Sequence, residues 1–98
     1  MLEEIQAKYK DHESYDEMQI DVENALDRPD FYNCKRIGYF LIEIFNDKVL
    51  SRKIFDKALE LCESDEDIKD VICDITFLSE DWADELQRKY EVDINEDD

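Results

Sequence analysis

The chain has 98 residues, of which 29 are acidic and 12 are basic, and its formal net charge is −17. A chain of this length forms one domain around one modest core. Its charge excludes attraction to nucleic acid or anionic membranes and favours basic surfaces. A single glycine and a single proline are too few for the turns of a sheet protein. We therefore expect an all-α fold, with residues 1–90 as a single helical domain and residues 91–98 as a frayed acidic tail.

Cysteine usage and hydropathy indicate a cytoplasmic protein. The three cysteines are odd in number and lie at or beside apolar positions, which is typical of free thiols in a reducing compartment. No segment near the start is both basic and apolar, so we expect no signal peptide. The longest apolar run, residues 39–42, is far too short to span a bilayer.

Apolar periodicity predicts two helices in the first part of the chain. The first covers residues 2–10. The second runs from Tyr15 to Asp27, after a capping box of Ser14 and Glu17 in which each side chain satisfies a free backbone N–H. Its buried stripe is expected to consist of Met18, Val22, Ala25 and Leu26.

The second half of the segment 30–45 carries apolar side chains on nearly every side, which is typical of a helix that is covered all round. We predict that it is the central and most buried helix, with Asp30 as its N-cap. Gly38 inside it costs about 1 kcal/mol relative to alanine. This glycine indicates either the close approach of a neighbouring helix or a tolerated defect.

Three further helices complete the predicted bundle. They cover residues 48–62, residues 65–78 and a segment that starts after Ser79. The residues expected to cap them are Asn46 or Asp47, Ser64 in a capping box with Asp67, and Ser79. Trp82 heads an apolar stripe in the last helix and is expected to hold that helix against the domain.

Two stretches of the chain align with an offset of 32 residues, residues 47–54 over residues 79–86. In this alignment a cap, a small residue and the apolar positions correspond. A weaker copy relates residues 22–27 to residues 55–60. A period of about 32–34 residues is typical of stacked helical hairpins. It predicts a compact bundle of five or six short antiparallel helices in a repeat-like arrangement.

The segment DFYNCKRIGYFLIEIFNDKVLSRKIFDKALELCES, residues 30–64, resembles bacterial helical-repeat proteins of the tetratricopeptide-like or Sel1-like kind. The resemblance extends loosely to Lys89. The glycine and proline positions of a standard tetratricopeptide repeat are absent, and Trp82 lies in the last helix. The resemblance implies a protein-binding scaffold without an activity of its own. By size and charge the chain is also similar to bacterial toxin-immunity proteins.

The sequence shows no motif that is typical of catalysis or cofactor binding. His12 is the only histidine, so a general base or a metal ligand there stands alone. The serines have no histidine beside them and the cysteines lack C-x-x-C spacing, so we expect neither nucleophilic catalysis nor zinc. The acidic stretch 63–70 lacks the glycine and the terminal glutamate of an EF-hand. We expect no enzymatic activity, no metal and no cofactor.

Acidic residues of the fifth predicted helix form the candidate binding site. Glu66, Asp70 and Asp74 follow each other at i,i+4, and each like-charge neighbour costs roughly a few tenths of a kcal/mol. Asp74 also lies in the half of the helix where the dipole disfavours a negative charge. Since stability alone does not select these charges, we predict a docking surface for a basic partner, with a solvated face as the alternative. The predicted partner-binding residues are Glu63, Glu66, Asp67, Asp70, Asp74 and Asp81.

Three functions are compatible with an acidic binding module of this kind. The first is an immunity protein or antitoxin, in which an acidic monomer covers the basic active site of a nuclease toxin. The second is a nucleic-acid mimic of the anti-restriction or anti-CRISPR type. The third is a plain tetratricopeptide-like adaptor with a groove for a peptide. We favour the first, and we expect no direct contact with nucleic acid or membrane.

Overall fold

The structure, a computed structural model, describes residues 2–94, and within this range every regular element is a helix. The elements are α1 (Leu2–Tyr9), a 3-10 turn (Glu13–Tyr15), α2 (Asp16–Asp27), α3 (Phe31–Glu43), α4 (Lys48–Leu61), α5 (Asp65–Ile75) and α6 (Glu80–Tyr90). The radius of gyration is 13.2 Å, which is that of a compact domain of about 100 residues. The predicted all-α bundle is therefore confirmed.

Helix α3 packs against α2, α4 and α5, so its predicted central position is confirmed. The prediction that it is the most buried helix is wrong, because α4 buries more of its side chains. The buried residues of α3 are Cys34, Ile37, Gly38 and Leu41, whereas those of α4 are Leu50, Ser51, Ile54, Phe55, Ala58 and Leu59. Three neighbouring helices do not surround α3 completely, and Tyr39 and Phe40 remain only half-buried.

Four of the predicted helix caps are confirmed. In each case a side-chain oxygen accepts a hydrogen bond from the backbone N–H three residues further on, which satisfies a group that has no partner within the helix. The caps are Asp30 at 2.8 Å, Asp47 at 3.1 Å, Ser64 at 3.2 Å and Ser79 at 3.2 Å. Helices α3 to α6 thus begin where the sequence predicts.

The predicted cap of α2 is wrong. Ser14 donates its backbone N–H to Nδ1 of His12 at 3.1 Å, and this bond opens the 3-10 turn. Tyr15 then occupies the N-cap position of α2 without a capping side chain. The stripe of α2 also differs from the prediction, because Leu26 is 37% exposed while Asp21 is buried and pairs with Arg36 at 3.1 Å.

The chain after α6 stays attached to the domain over residues 91–94. The backbone N–H of Val92 donates to the carbonyl of Gln87 at 3.0 Å, and that of Ile94 donates to Oε1 of the same glutamine at 3.2 Å. Both apolar side chains pack against the core. The expectation of a frayed tail is therefore not met over residues 91–94, and residues 95–98 lie outside the described part of the chain.

The offset of 32 residues joins positions of equal burial in α4 and α6. The three aligned pairs are Leu50 and Trp82, Ser51 and Ala83, and Ile54 and Leu86, and all six side chains are buried. Asp47 and Ser79 cap the two helices at the same place in the alignment. The sequence similarity thus coincides with equivalent packing, and a relationship to helical-repeat proteins stays a prediction.

Candidate interaction surface

Three of the predicted acids, Glu66, Asp70 and Asp74, lie along α5 at i,i+4 spacing, and we call them the acidic strip. The opposite face of this helix buries Val71 and Ile75 in the core, which fixes its orientation. Glu66 and Asp70 are exposed, whereas Asp74 is half-buried, with 24% of its side-chain surface exposed. The strip therefore runs from open solvent at the start of α5 to a more enclosed position near its end.

The other three predicted residues surround α5. Glu63 lies just before the helix and is exposed, and Asp81 is exposed in the first turn of α6, which packs against α5. Asp67 is half-buried, and its Oδ2 accepts the backbone N–H of Glu63 at 3.1 Å while its own N–H donates to the Ser64 hydroxyl. Asp67 therefore has a structural role at the start of α5, although its side chain bonds the N–H of Glu63 rather than that of the N-cap residue Ser64, as a capping box would require.

Asp74 also has a local partner, because the Nζ of Lys35 on α3 lies 3.9 Å from its Oδ2. Asp67 and Asp74 therefore have partners within the chain. Glu66 and Asp70 have no such partner, since no cation among residues 2–94 lies within ion-pair distance of either one. These two residues are the part of the prediction that local structure does not explain.

The negative charge of the Asp74 carboxylate is less favourable in the folded protein than in water. Its pKa is raised mainly because burial removes water from the charged form, and the negative charge of Asp70 raises the pKa further. The cations of Lys35 and Arg36 act in the opposite direction but do not offset the burial. An additional cation at this position would therefore be favourable.

A group of two exposed and two half-buried aromatic rings lies beside Asp74, and we call it the aromatic patch. It consists of Tyr32, Tyr39 and Phe40 on α3 and Phe77 just after α5. Phe77 is 64% exposed and Tyr32 is 51% exposed. The ring of Tyr39 meets the rings of Phe77 and Phe40 edge-on, with centroids 5.7 Å and 6.0 Å apart.

Arg36 connects the ring of Tyr32 to the rest of the aromatic patch. Its guanidinium carbon lies 5.7 Å from the ring centre of Tyr32 and 5.3 Å from that of Phe40, within the range of cation–π attraction. Its Nε donates to both carboxylate oxygens of Asp21, at 3.1 and 3.3 Å. A groove of about 200 Å³ opens at this place, and the side chains that line it are Tyr32, Lys35, Arg36, Tyr39, Phe40 and Asp74.

Sequence reasoning missed the aromatic patch. Apolar residues around α3 predict complete burial, and the predicted fifth helix, residues 65–78, includes Phe77. The signal that was available is the position of Phe77, two residues after the last buried residue of the α5 stripe, Ile75. The aromatic patch and the acidic strip meet at Asp74.

The cations of the chain are concentrated on a different helix. Four of them, Lys48, Arg52, Lys53 and Lys57, lie on α4, whereas α5 carries only Lys69. On the outer side of the bundle Lys53 pairs with Glu4 of α1 at 3.6 Å. A basic partner is therefore attracted to α5 more strongly than to α4.

The nucleophile candidates of the chain are poorly suited to catalysis. All three cysteines are free. Burial raises the pKa of Cys34 and of Cys62 to about 11, and the charges of Asp67 and Asp70 contribute at Cys62. The exposed thiol, Cys73, also has a raised pKa, from burial and then from Asp70 and Asp74. These thiols are protonated at neutral pH and are weak nucleophiles.

Among residues 2–94 no helix has the length and apolarity to cross a membrane, and no three acidic, histidine or cysteine side chains are grouped as metal ligands. No protein-family model, curated protein or solved structure matches this chain.

Proposed function

We propose that this chain is an acidic protein-binding module that neutralises a basic nuclease toxin by covering the active site of the toxin, in the manner of an immunity protein or antitoxin. The observation that carries the proposal is the pair Glu66 and Asp70, two exposed acids one turn apart, neither within ion-pair distance of a cation in the described range. Each repels the other in the free protein, so a basic partner relieves a cost that is already present.

The proposed mechanism uses charge in two ways. The net charge of −17 and the acid-rich helix α5 steer a basic protein toward the strip, and such steering accelerates association and weakens as salt rises. Once bound, lysine or arginine side chains of the toxin form charge-assisted hydrogen bonds to Glu66 and Asp70. Because a nuclease site is basic in order to bind phosphates, the bound module occupies the place of the substrate. The module acts as a monomer and needs no cofactor.

The test compares two charge-reversal variants. Glu66→Lys/Asp70→Lys changes the strip, and Glu23→Lys/Asp27→Lys is the matched control, since Glu23 and Asp27 are also exposed and one turn apart, on α2. Both variants change the net charge by the same amount. Each protein is added to purified bacterial nuclease toxin domains, starting with any toxin encoded next to the gene, and cleavage of fluorogenic DNA and RNA is followed.

We expect the parent protein and the α2 control to inhibit a toxin stoichiometrically and the strip variant to lose inhibition. Equal inhibition by all three proteins contradicts the role of the strip. Loss of inhibition in both variants assigns the effect to net charge rather than to α5. Inhibition of a restriction or CRISPR nuclease complex, with none of the toxins inhibited, favours the nucleic-acid mimic instead.

A further inference from the structure

We propose that the aromatic patch is the centre of the partner interface, and that it takes an apolar side chain of a basic protein whose neighbouring lysine or arginine side chains bind the acidic strip. The choice of a basic partner rests on the proposed function. The patch itself is a separate observation, because it was found from ring contacts and exposure rather than from charge.

The exposure of the patch is unusual because its rings are grouped. Single exposed apolar side chains are normal on a protein surface. Ile20 on α2 and Val49 on α4 are of this kind, at 71% and 69% exposed. Phe77 and Tyr32, by contrast, belong to a group that also contains the ring of Tyr39 and the guanidinium of Arg36. Aromatic side chains and arginine are the residue types most enriched where binding energy is concentrated.

The patch is also held in place before a partner arrives. One edge-on contact packs the ring of Phe77 against Tyr39 of α3, and the two bonds from Arg36 to Asp21 hold the guanidinium near Tyr32 and Phe40. A surface that is already ordered loses less side-chain entropy on binding. The groove lined by the rings of Tyr32, Tyr39 and Phe40, about 200 Å³, is smaller than the roughly 300–1,000 Å³ of small-molecule sites. It therefore suits one side chain of a protein partner.

The charges around the patch select a basic partner. The cations of the groove are already neutralised, Lys35 by Asp74 and Arg36 by Asp21. The negative charge of Glu43, followed by burial and by the more weakly acting charge of Asp74, raises the pKa of Tyr39. Asp70 lies one turn before Asp74 on α5, and no cation among residues 2–94 lies within ion-pair distance of it. A partner that presents cations around an apolar residue fits this distribution.

The test uses synthetic helical peptides as probes, so it does not depend on finding the natural partner. The first peptide has a leucine face flanked by lysines. The second replaces every leucine by serine and keeps the lysines, and the third keeps the leucines and replaces every lysine by glutamate. Binding of each labelled peptide is measured by fluorescence anisotropy against the parent protein, Phe77→Ala, Tyr32→Ala, Glu66→Lys/Asp70→Lys and the control Ile20→Ala.

We expect only the leucine–lysine peptide to bind the parent protein. Phe77→Ala is expected to weaken this binding by about tenfold or more, as truncation of a central interface residue does. Tyr32→Ala should act in the same direction, and Ile20→Ala should leave the affinity unchanged. Since Phe77, Tyr32 and Ile20 are all exposed, the substitutions leave the core intact, and circular dichroism of each variant verifies the fold.

The outcomes separate this inference from the proposed function. If Phe77→Ala binds like the parent while Glu66→Lys/Asp70→Lys does not, the patch is not the anchor and the strip alone acts. If Phe77→Ala loses binding and the charge reversal does not, the patch is the anchor and the role of the strip is contradicted. Failure of the parent protein to bind the leucine–lysine peptide overturns the inference. The inference is also overturned if the parent protein sediments as a dimer that Phe77→Ala dissociates, because the patch is then covered by a second copy of the chain.

Discussion

The ring of Phe55 on α4 lies directly over Gly38 on α3, so close that a methyl group on Gly38 would come within 2.9 Å of two ring carbons. The hydroxyl of Ser51 donates to the carbonyl of Gly38 at 2.8 Å in the same buried contact. These two contacts bring the central helices together, and they confirm that the only glycine of the chain marks the close approach of a neighbouring helix.

Gly38→Ala is expected to destabilise the protein, by about 1–2 kcal/mol. Overpacking a core costs roughly 1–3 kcal/mol, and the better helix propensity of alanine offsets about 1 kcal/mol at most. Urea unfolding of Gly38→Ala, Phe55→Leu and the double variant measures the coupling between the two sites. The methyl group should be much less costly when the smaller leucine replaces the ring. Additive costs would show that the ring and the glycine do not interact.

Local sequence signals predicted the helix starts well, because a cap is formed within four residues. Asp30, Asp47, Ser64 and Ser79 each accept a hydrogen bond from their own helix, and no distant residue has to be known. Ser14 fits the same pattern but does not cap α2. Its backbone N–H donates to Nδ1 of His12 instead, and this bond opens a 3-10 turn. Composition, periodicity and caps were therefore sufficient for the fold class.

The candidate site was less predictable, because its contacts join different helices. The sequence placed Asp74 in a repulsive row on α5 but gave no indication that Lys35 of α3 lies beside it. In the same way, apolar residues all round α3 do not reveal which side lacks a neighbouring helix, and this side carries Tyr39 and Phe40. Such features depend on how helices are arranged, and neither spacing nor propensity encodes that arrangement locally.

Trp82→Ala should cost about 3–5 kcal/mol of stability, the usual range for the loss of a large buried aromatic side chain. Trp82 is only 6% exposed, so its predicted role in holding α6 against the domain is supported. The guanidinium of Arg52 lies 4.3 Å from the ring centre. Arg52→Ala is the control, with an expected cost of about 1 kcal/mol or less. Denaturant midpoints that are equal for both variants would contradict this difference.

Asp47→Asn should reduce the loss of stability in acid. Asp47 accepts hydrogen bonds from Lys8 at 2.7 Å and from the Tyr9 hydroxyl at 2.5 Å while it caps α4. Burial raises the pKa of Asp47, but these bonds outweigh it and the pKa is lowered overall. An acid whose pKa is lowered in the folded state stabilises the fold at pH values above its unfolded-state pKa of about 4. This stabilisation is lost as the pH falls through the folded-state pKa.

Asparagine still caps a helix, so the variant removes the charge and keeps the cap. At neutral pH the variant should be less stable by about 1–2 kcal/mol, since hydrogen bonds to a charged group are weakened. The difference between the two proteins should shrink as the pH is lowered below about 4. Unfolding by urea at a series of pH values measures it. A difference that stays constant down to low pH would show that the charge of Asp47 does not stabilise the fold.

Tyr15→Phe should leave the stability unchanged or raise it. The hydroxyl of Tyr15 is buried and has no hydrogen-bond partner among residues 2–94, and the whole residue is only 5% exposed. Removing a buried polar group that has no partner removes its desolvation cost, which is about 1–3 kcal/mol for a typical group. Tyr9→Phe is the control, because the Tyr9 hydroxyl is bonded to Asp47. Thermal unfolding should show the control less stable than the parent protein and Tyr15→Phe at least as stable.

Asp74→Asn should raise the stability of the free protein at neutral pH, by roughly a few tenths of a kcal/mol, the size of one removed like-charge pair. The pKa of Asp74 is raised by burial and by Asp70. An acid whose folded-state pKa is raised stabilises the fold only below its unfolded-state pKa, and this contribution is lost as pH rises through the folded-state value. The gain from asparagine should therefore appear at neutral pH and disappear in acid.

The same substitution should weaken binding of the leucine–lysine peptide, because it removes the carboxylate at which the acidic strip meets the aromatic patch. A residue that costs stability and contributes affinity is characteristic of a binding site, so the two measurements have to be made on one variant. Urea unfolding at neutral and acidic pH gives the first, and fluorescence anisotropy gives the second. If Asp74→Asn is less stable than the parent protein at neutral pH and binds the peptide equally well, Asp74 serves the fold through Lys35 and is not part of the interface.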